Sequence, residues 1–312
     1  MQKKIIVGAL LSAAVCVAGW LIYRTLSRYT FDEIVRSVMA IPAPHLMAGI
    51  GFVFLSYFCL TLFDTLAIRY VGRTLVYPKI AIASFTSLSI GHNVGVASLS
   101  SGAIRYRFYS RWGFSAEEVA KIILFCALTV GLGLVTLAGL CCLVMPEGAA
   151  RVTGLSEAGA VTLGIACLAV SAGYVFLAVF LRGSVRVFRW TFEMPSPAIA
   201  AAQVAVGTAN FLCVSACLHQ LVQAFGDSEY FETATAYVGA NVTALVSHVP
   251  GGIGVLEATI AFLLGQSASI GALIAFRAIY FFLPLPLGLL SISIAELLRT
   301  DDAKALAGKA KT

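Results

Sequence analysis

The chain has 312 residues, of which 60% are hydrophobic and only 12% are charged, and its mean hydropathy is +0.93. Soluble domains use about 45 to 50% apolar residues, so this composition excludes an ordinary soluble protein and predicts an integral membrane protein. The formal net charge of +6 comes largely from basic clusters between apolar runs, and no nucleic-acid partner is expected. The eight cysteines lie inside apolar runs without forming a CxxC pair, so we predict packing roles for them, no metal site and no cofactor.

The first predicted element is an apolar run at 5–23 that follows the basic residues Lys3 and Lys4. A basic head before an apolar stretch is also typical of a signal peptide, so the two interpretations compete here. The run is long enough to cross a bilayer, since about 20 helical residues cover the hydrocarbon core. We therefore predict a retained spanning helix.

Five more apolar runs are each long enough for a spanning helix. In chain order they cover residues 46–68, 119–145, 160–181, 198–225 and 271–298. Two further stretches, 80–104 and 236–265, are more polar and contain several glycines. The fold class predicted from this pattern is an all-α polytopic membrane protein with about six spanning helices.

The polar stretches are predicted to be re-entrant hairpins because of the charges that flank them. Short loops rich in lysine and arginine stay in the cytoplasm, and such clusters lie on both sides of 80–104. The stretch 236–265 follows an acidic loop with Asp227, Glu229 and Glu232, so it is expected to enter and leave from the opposite face. Broken backbone cannot face lipid, so both hairpins must be buried in protein or line a polar cavity.

The order of elements predicts an inverted-topology repeat. Span, span, hairpin and span occur in residues 1–150 and again, with opposite orientation, in 151–298. We predict a single membrane domain over 1–312, with a basic cytoplasmic tail at 299–312 and both termini in the cytoplasm. Broken helices in inverted repeats are typical of transporters, whose binding sites lie where the breaks meet.

The tip of the second hairpin is the segment "LVSHVPGGIGVLEA", which begins at Leu245. Proline cannot continue a helix and glycine adopts conformations closed to other residues. The residues that break the helix are Pro250, Gly251, Gly252 and Gly254. A new helix starting near Gly254 would point its free N–H groups inward, which favours a phosphate or carboxylate ligand. The alternative is a tight helix crossing that needs small residues.

Two charged residues follow this turn. Glu257 is expected in the first turn of the new helix, where it could cap the helix or pair with a cationic group or with Arg277. Arg277 lies about six residues into the last predicted span, too deep to reach the membrane surface freely. Because buried charges in membranes are costly and usually functional, Glu257 and Arg277 are candidate substrate-binding residues.

The remaining candidates lie around the first hairpin and at the tip of the second. His92 with Asn93, and His248 at the matching position of the second half, could bind a headgroup or only stabilise sharp turns. Arg105 and Arg107 belong to a basic and aromatic cluster at the inner interface, which could gather anionic lipid or simply anchor the protein.

Two further features are expected to be structural. Ser115 with Glu118 predicts a capping box that opens the next helix. Asp64 lies near a cytoplasmic helix end, where a solvated or paired role is expected.

Three segments carry a family resemblance: "SIGHNVGVASLSSGAIRYRFYSRWGFS", "HVPGGIGVLEA" and "FRAIYFFLPLPLG". They resemble the lysylphosphatidylglycerol synthase transmembrane family. This family includes the flippase part of the multiple peptide resistance factor and small bacterial inner-membrane proteins. The resemblance covers almost the whole chain and implies movement of a phospholipid, in one branch an aminoacylated phosphatidylglycerol, between leaflets. The matching positions are Arg105, Arg107, Pro250, Gly251, Gly252, Gly254, Glu257 and Arg277.

The sequence departs from the multiple peptide resistance factor at its end. That protein carries a cytosolic aminoacyl transfer domain after its membrane part, whereas this sequence ends with "RTDDAKALAGKAKT" at Thr312. Synthesis of the aminoacylated lipid is therefore not expected.

The function predicted from the sequence is that of an inner-membrane lipid translocase, in which the two hairpins meet at a polar cavity that passes a phospholipid headgroup. Helix N-termini and Arg277 would hold phosphate, and Glu257 would balance a cationic part. The alternatives are a membrane enzyme of lipid metabolism, for which no catalytic motif is found, and a structural or regulatory membrane partner. Candidate partners besides the lipid are a second copy of the chain or a separate lipid-modifying enzyme.

Overall fold

The structure is a computed structural model that describes residues 30–94, 97–180, 184–187, 190–247, 249–265 and 268–294. The protein is an all-α polytopic membrane protein, with a short β-hairpin in the part of the chain that the structure describes. The helices of the first half are α1 (Phe31–Met39), α2 (Ala43–Tyr70), α3 (Tyr77–Val94), α4 (Ala97–Arg111), α5 (Ala116–Val144) and α6 (Pro146–Thr153). The second half comprises α7 (Glu157–Phe180), β1 (Ser184–Val187), β2 (Trp190–Glu193), α8 (Pro197–Gln223), α9 (Tyr230–Ser247), α10 (Val255–Leu264) and α11 (Ile270–Ile294).

Within the described residues, five helices are long and apolar enough to cross a membrane, namely α2, α5, α7, α8 and α11. They confirm the five predicted spans from 46–68 onwards, with ends that differ by a few residues. The first predicted span, 5–23, and the predicted tail, 299–312, lie outside the described residues.

Both predicted helix breaks are present. Helix α3 ends at Val94 and α4 starts at Ala97, and the two helices pack along each other. Helices α9 and α10 form a second such pair, with a 3₁₀ turn at Pro250–Gly252 between them. The first pair extends beyond its predicted range at both ends, whereas the second begins six residues before its range and ends within it. That each hairpin enters and leaves on one membrane face stays a prediction, as does the inverted repeat.

The core lies around α2 and α8, which pack along most of their lengths. Helix α5 joins them through a close backbone approach. A Cβ on Gly133 would overlap the carbonyl carbon of Gly207, so no side chain is tolerated there. Small residues are therefore required where α5 crosses α8, as is common between helices in lipid.

Some local structure was predicted and some was not. Ser115 and Glu118 form the predicted capping box at the start of α5. Two short helices, α1 and α6, were not predicted, because hydropathy alone does not detect segments of this length. The β-hairpin of β1 and β2 was also not predicted. Its strands are antiparallel, with Ser184 paired with Glu193, and it lies in the connection between α7 and α8.

Candidate functional site

The guanidinium of Arg277 lies at the centre of the candidate site. It is 1% exposed and begins a π-helical turn, Arg277–Phe282, inside α11. Its Nε donates to Oε1 of Glu257 at 2.6 Å, and its two Nη atoms donate to the carbonyls of Gly251 at 2.9 Å and Gly252 at 3.4 Å. The Cζ atom also lies 4.4 Å from the ring centroid of Phe281. A buried arginine thus joins the last helix to the tip of the second hairpin.

The glycines of this tip are required by its backbone conformation. Gly251, Gly252 and Gly254 have φ values of 64°, 60° and 81°, a region that favours glycine strongly over residues with a Cβ. The resulting turn directs two carbonyl oxygens at the arginine. The predicted turn is therefore confirmed, and the need for glycine is conformational as well as steric.

Glu257 performs both of the roles that were left open. Its Oε2 accepts from the backbone N–H of Gly254 at 2.8 Å, which caps α10, while Oε1 accepts from Arg277. The N-terminal N–H of Gly254, predicted to be available to a phosphate, is thus already bonded to this carboxylate. A phosphate at this helix start would have to compete with Glu257.

A cleft between α10 and α11 leads to the same carboxylate. It has a volume of about 220 Å³ and is lined by Glu257, Ala258, Ala261, Ile270, Leu273 and Ile274. Its walls are apolar, and the side chain of Glu257 is 14% exposed whereas that of Arg277 is 2% exposed. The charged group that a ligand in this cleft would meet is therefore a hydrogen-bond acceptor.

The tip of the first hairpin contacts the same part of α11. Nδ2 of Asn93 donates to the carbonyl of Phe281 at 3.0 Å, and the ring of His92 stacks on Tyr280 with centroids 6.1 Å apart. The Nδ1 atom of His92 is buried and has no hydrogen-bond partner among the described residues. A Cβ on Gly251 would lie 3.7 Å from the carbonyl oxygen of His92, so the two tips meet. His248 lies outside the described residues.

Tyr280, in the π-helical turn, joins this site to the core. The hydroxyl oxygen of Tyr280 is 2.9 Å from Oγ of Ser56. The Ser56 hydroxyl in turn donates to Oδ1 of Asn210 at 2.7 Å. This buried polar chain connects α11, α2 and α8. Sequence reasoning missed it, because single serine, asparagine and tyrosine residues in apolar spans give no signal for their partners.

Arg105 lies in a second buried ion pair. Its Nε and Nη2 donate to the two carboxylate oxygens of Asp64, each at 2.8 Å, and the hydroxyl of Tyr109 donates to Oδ1 at 2.7 Å. Arg105 is 3% exposed and Asp64 is fully buried. Arg107, two residues along α4, is half-buried. Arg105, predicted to belong to the basic cluster at the inner interface, thus lies in the interior. A paired role was one of the two expected for Asp64, and its pairing with Arg105 confirms it.

The chain has relatives of similar length, although no protein-family model matches it. It is 31% identical over 278 residues to the uncharacterized protein slr0712 of Synechocystis sp., and the match covers 88% of this chain and 86% of that protein. It is 30% identical over 275 residues to the inner membrane protein YbhN of Escherichia coli, covering 85% and 83% of the two chains.

Proposed function

The chain is an inner-membrane protein of the same family as the inner membrane protein YbhN, and we propose that it is a lipid translocase. It moves a phospholipid between the two leaflets while the acyl tails stay in the surrounding lipid. The resemblance to the lysylphosphatidylglycerol synthase transmembrane family supports this proposal. The role involves no covalent chemistry and assigns no catalytic residue.

The observation that carries the proposal is the buried pair of Arg277 and Glu257 beside an apolar cleft. Charged groups at membrane depth are costly and usually mark a substrate or ion pathway. Transporter sites commonly lie where broken helices meet near the membrane midplane. Here the tip of the second hairpin accepts a hydrogen bond from Arg277, and the tip of the first hairpin donates one to the π-helical turn that Arg277 begins.

In the proposed mechanism Glu257 is the first group that a headgroup meets. A carboxylate can accept about four hydrogen bonds, and the contacts described above use one on each oxygen. An ammonium or hydroxyl group of a headgroup would bind the remaining lone pairs. The phosphate would reach Arg277 only as Glu257 turns toward the headgroup. This order accommodates an aminoacylated lipid and also an anionic lipid with hydroxyl groups.

The topology proposed for this mechanism has both termini in the cytoplasm and the two hairpins entering from opposite faces. Cysteines introduced at Asp227 and Lys309 would then be labelled by an impermeant reagent from opposite sides of the membrane. Labelling of both from one side would contradict this topology.

The test is leaflet exchange of fluorescent phosphatidylglycerol, plain and aminoacylated, in liposomes that contain the purified protein. We expect the wild-type protein to accelerate exchange and Arg277→Ala to abolish the acceleration. The matched control is Arg73→Ala, which is expected to leave exchange unchanged. It breaks an exposed ion pair in which Nε of Arg73 lies 2.7 Å from Oε1 of Glu118.

Loss of folding in Arg277→Ala is controlled by the double variant Glu257→Gln with Arg277→Gln, in which both buried charges are removed. This variant should fold and still fail to exchange lipid. Absence of exchange for both lipids with folded wild-type protein, or full exchange by the double variant, would overturn the proposal.

A further inference from the structure

Helix α1 is a short amphipathic helix beside the start of the first described span. Its N-terminus is closed by a capping box, in which the N–H of Thr30 donates to Glu33 at 2.9 Å and the N–H of Glu33 donates to Oγ1 of Thr30 at 3.2 Å. Only residues 40–42 separate its end from α2, and α1 packs against Ile270–Phe276 of α11. Its position in the fold is therefore well defined.

The apolar side of α1 is wider than the protein surface that it covers. At about 100° per residue, its five apolar side chains fall on one continuous arc. They are Phe31, Ile34, Val35, Val38 and Met39. Ile34, Val35 and Val38 are half-buried, and Val38 packs on the core. Phe31 and Met39 are instead 79% and 80% exposed, so one edge of the apolar arc has no protein cover among the described residues.

The opposite side of α1 is polar. Asp32, Glu33 and Arg36 are exposed there, and Nε of Arg36 donates to the carbonyl of Asp32 at 3.3 Å. A helix with one charged side and one apolar side lies in the plane of a membrane interface, with its apolar side about 5–10 Å below the headgroup boundary.

We propose that α1 is a lipid-binding surface in its own right, with Phe31 and Met39 inserted below the headgroups of the leaflet in which α2 begins. The occupant is phospholipid, because only residues 40–42 separate Met39 from α2, a helix long and apolar enough to cross a membrane, and because Glu33 and Arg36 lie on the other side of α1. The turn of α11 that α1 contacts also supplies Ile270 and Leu273 to the cleft at Glu257. Helix α1 thus holds the outer end of this cleft at the level of the headgroups.

The test is photo-crosslinking of the full-length protein in phosphatidylglycerol and phosphatidylethanolamine liposomes. The probe p-benzoylphenylalanine is placed singly at position 31 or 39, and adducts are identified by mass spectrometry. Position 36, on the polar side of α1, is the matched control. Position 176 is the lipid-exposed reference, since Phe176 on the spanning helix α7 is 61% exposed.

We expect phospholipid adducts at positions 31, 39 and 176 and none at position 36. A dimer crosslinked through position 31 or 39 would show that a second copy covers the edge, and a crosslink within one chain would show that residues 1–29 cover it. Either result, or equal lipid adducts at positions 36 and 39, would overturn the proposal. The readout is independent of lipid exchange, so it stands or fails separately from the proposed translocase activity.

Discussion

Among the described residues, two buried arginine–carboxylate pairs differ in their hydrogen bonding and in their exposure. Asp64 and Arg105 share two hydrogen bonds of 2.8 Å, and Tyr109 occupies a further acceptor position of the carboxylate. Glu257 and Arg277 share one hydrogen bond, because the other carboxylate oxygen caps a helix. The first carboxylate is fully buried, and the second is partly exposed to a cleft.

The comparison separates a structural pair from a candidate binding pair. A bidentate pair with a third hydrogen bond has its geometry fixed by side chains on α2 and α4. The pair at Glu257 depends instead on a glycine turn and on a π-helical turn, and π-helical turns are frequent at functional sites. Removing charges from the two pairs should therefore affect stability and lipid exchange in different proportions.

The largest effect on stability is expected at the first pair. Asp64→Ala leaves Arg105 charged and uncompensated in the interior, which should destabilise the protein by about 3–5 kcal/mol. Thermal unfolding in detergent micelles measures this loss, with Glu118→Ala at the exposed Arg73 pair as the control, for which about 0–1 kcal/mol is expected. Equal losses in the two variants would contradict the structural role assigned to Asp64.

The second prediction concerns Glu257→Gln, which keeps an oxygen to cap α10 but removes the negative charge next to Arg277. We expect a loss of about 1–3 kcal/mol, smaller than that of Asp64→Ala because the amide oxygen and the carbonyls of Gly251 and Gly252 still accept hydrogen bonds from Arg277. Lipid exchange in liposomes should be lost although the protein stays folded at the assay temperature. Retained exchange would show that Glu257 is another structural residue and that the two pairs do not differ in function.

Much of the second pair could be predicted from the sequence, whereas the first could not. Arg277 and Glu257 both lie in apolar surroundings near a glycine-rich break, so both were predicted to be buried, and pairing with Arg277 was one of the roles predicted for Glu257. Asp64 and Arg105 lie near span ends, where a charge is ordinary, and their contact depends on how α4 packs on α2. Hydropathy gives depth along the membrane normal but not which helices are neighbours, and the chain from Ser56 to Asn210 and Tyr280 was missed for the same reason.

Helix α1 shows a second limit of reading a sequence. A nine-residue helix is too short for a hydropathy window, although its capping box and its apolar spacing are both visible in "TFDEIVRSVM". A search for capping boxes outside the predicted spans, of the kind that found Ser115 and Glu118, would have located it.

The third prediction tests whether the glycine turn serves the arginine or only the chain direction. Gly252→Ala places a Cβ at a φ of 60° and 3.1 Å from the Cβ of Ala244, and a left-handed residue with a side chain costs about 1–2 kcal/mol. The matched control is Gly72→Ala, with a φ of 73° and open space around the new Cβ. Both variants should lose stability in thermal unfolding, but lipid exchange should fall only in Gly252→Ala. A parallel fall in both would mean that the turn at Gly252 is no more than a link between helices.

The smallest effect is expected where the first hairpin meets the last helix. Asn93→Ala removes the hydrogen bond to the carbonyl of Phe281 and should cost about 1 kcal/mol. Because this bond ties the first tip to the turn that carries Arg277, exchange should fall by more than this stability loss accounts for. Thr65→Ala is the control, since its hydroxyl bonds only to the carbonyl of Thr61 within α2 in the contacts described, and it should change exchange little. If the two variants behave alike in exchange assays, the first hairpin supports the fold without taking part in the site, and the candidate site reduces to α10, α11 and the turn between α9 and α10.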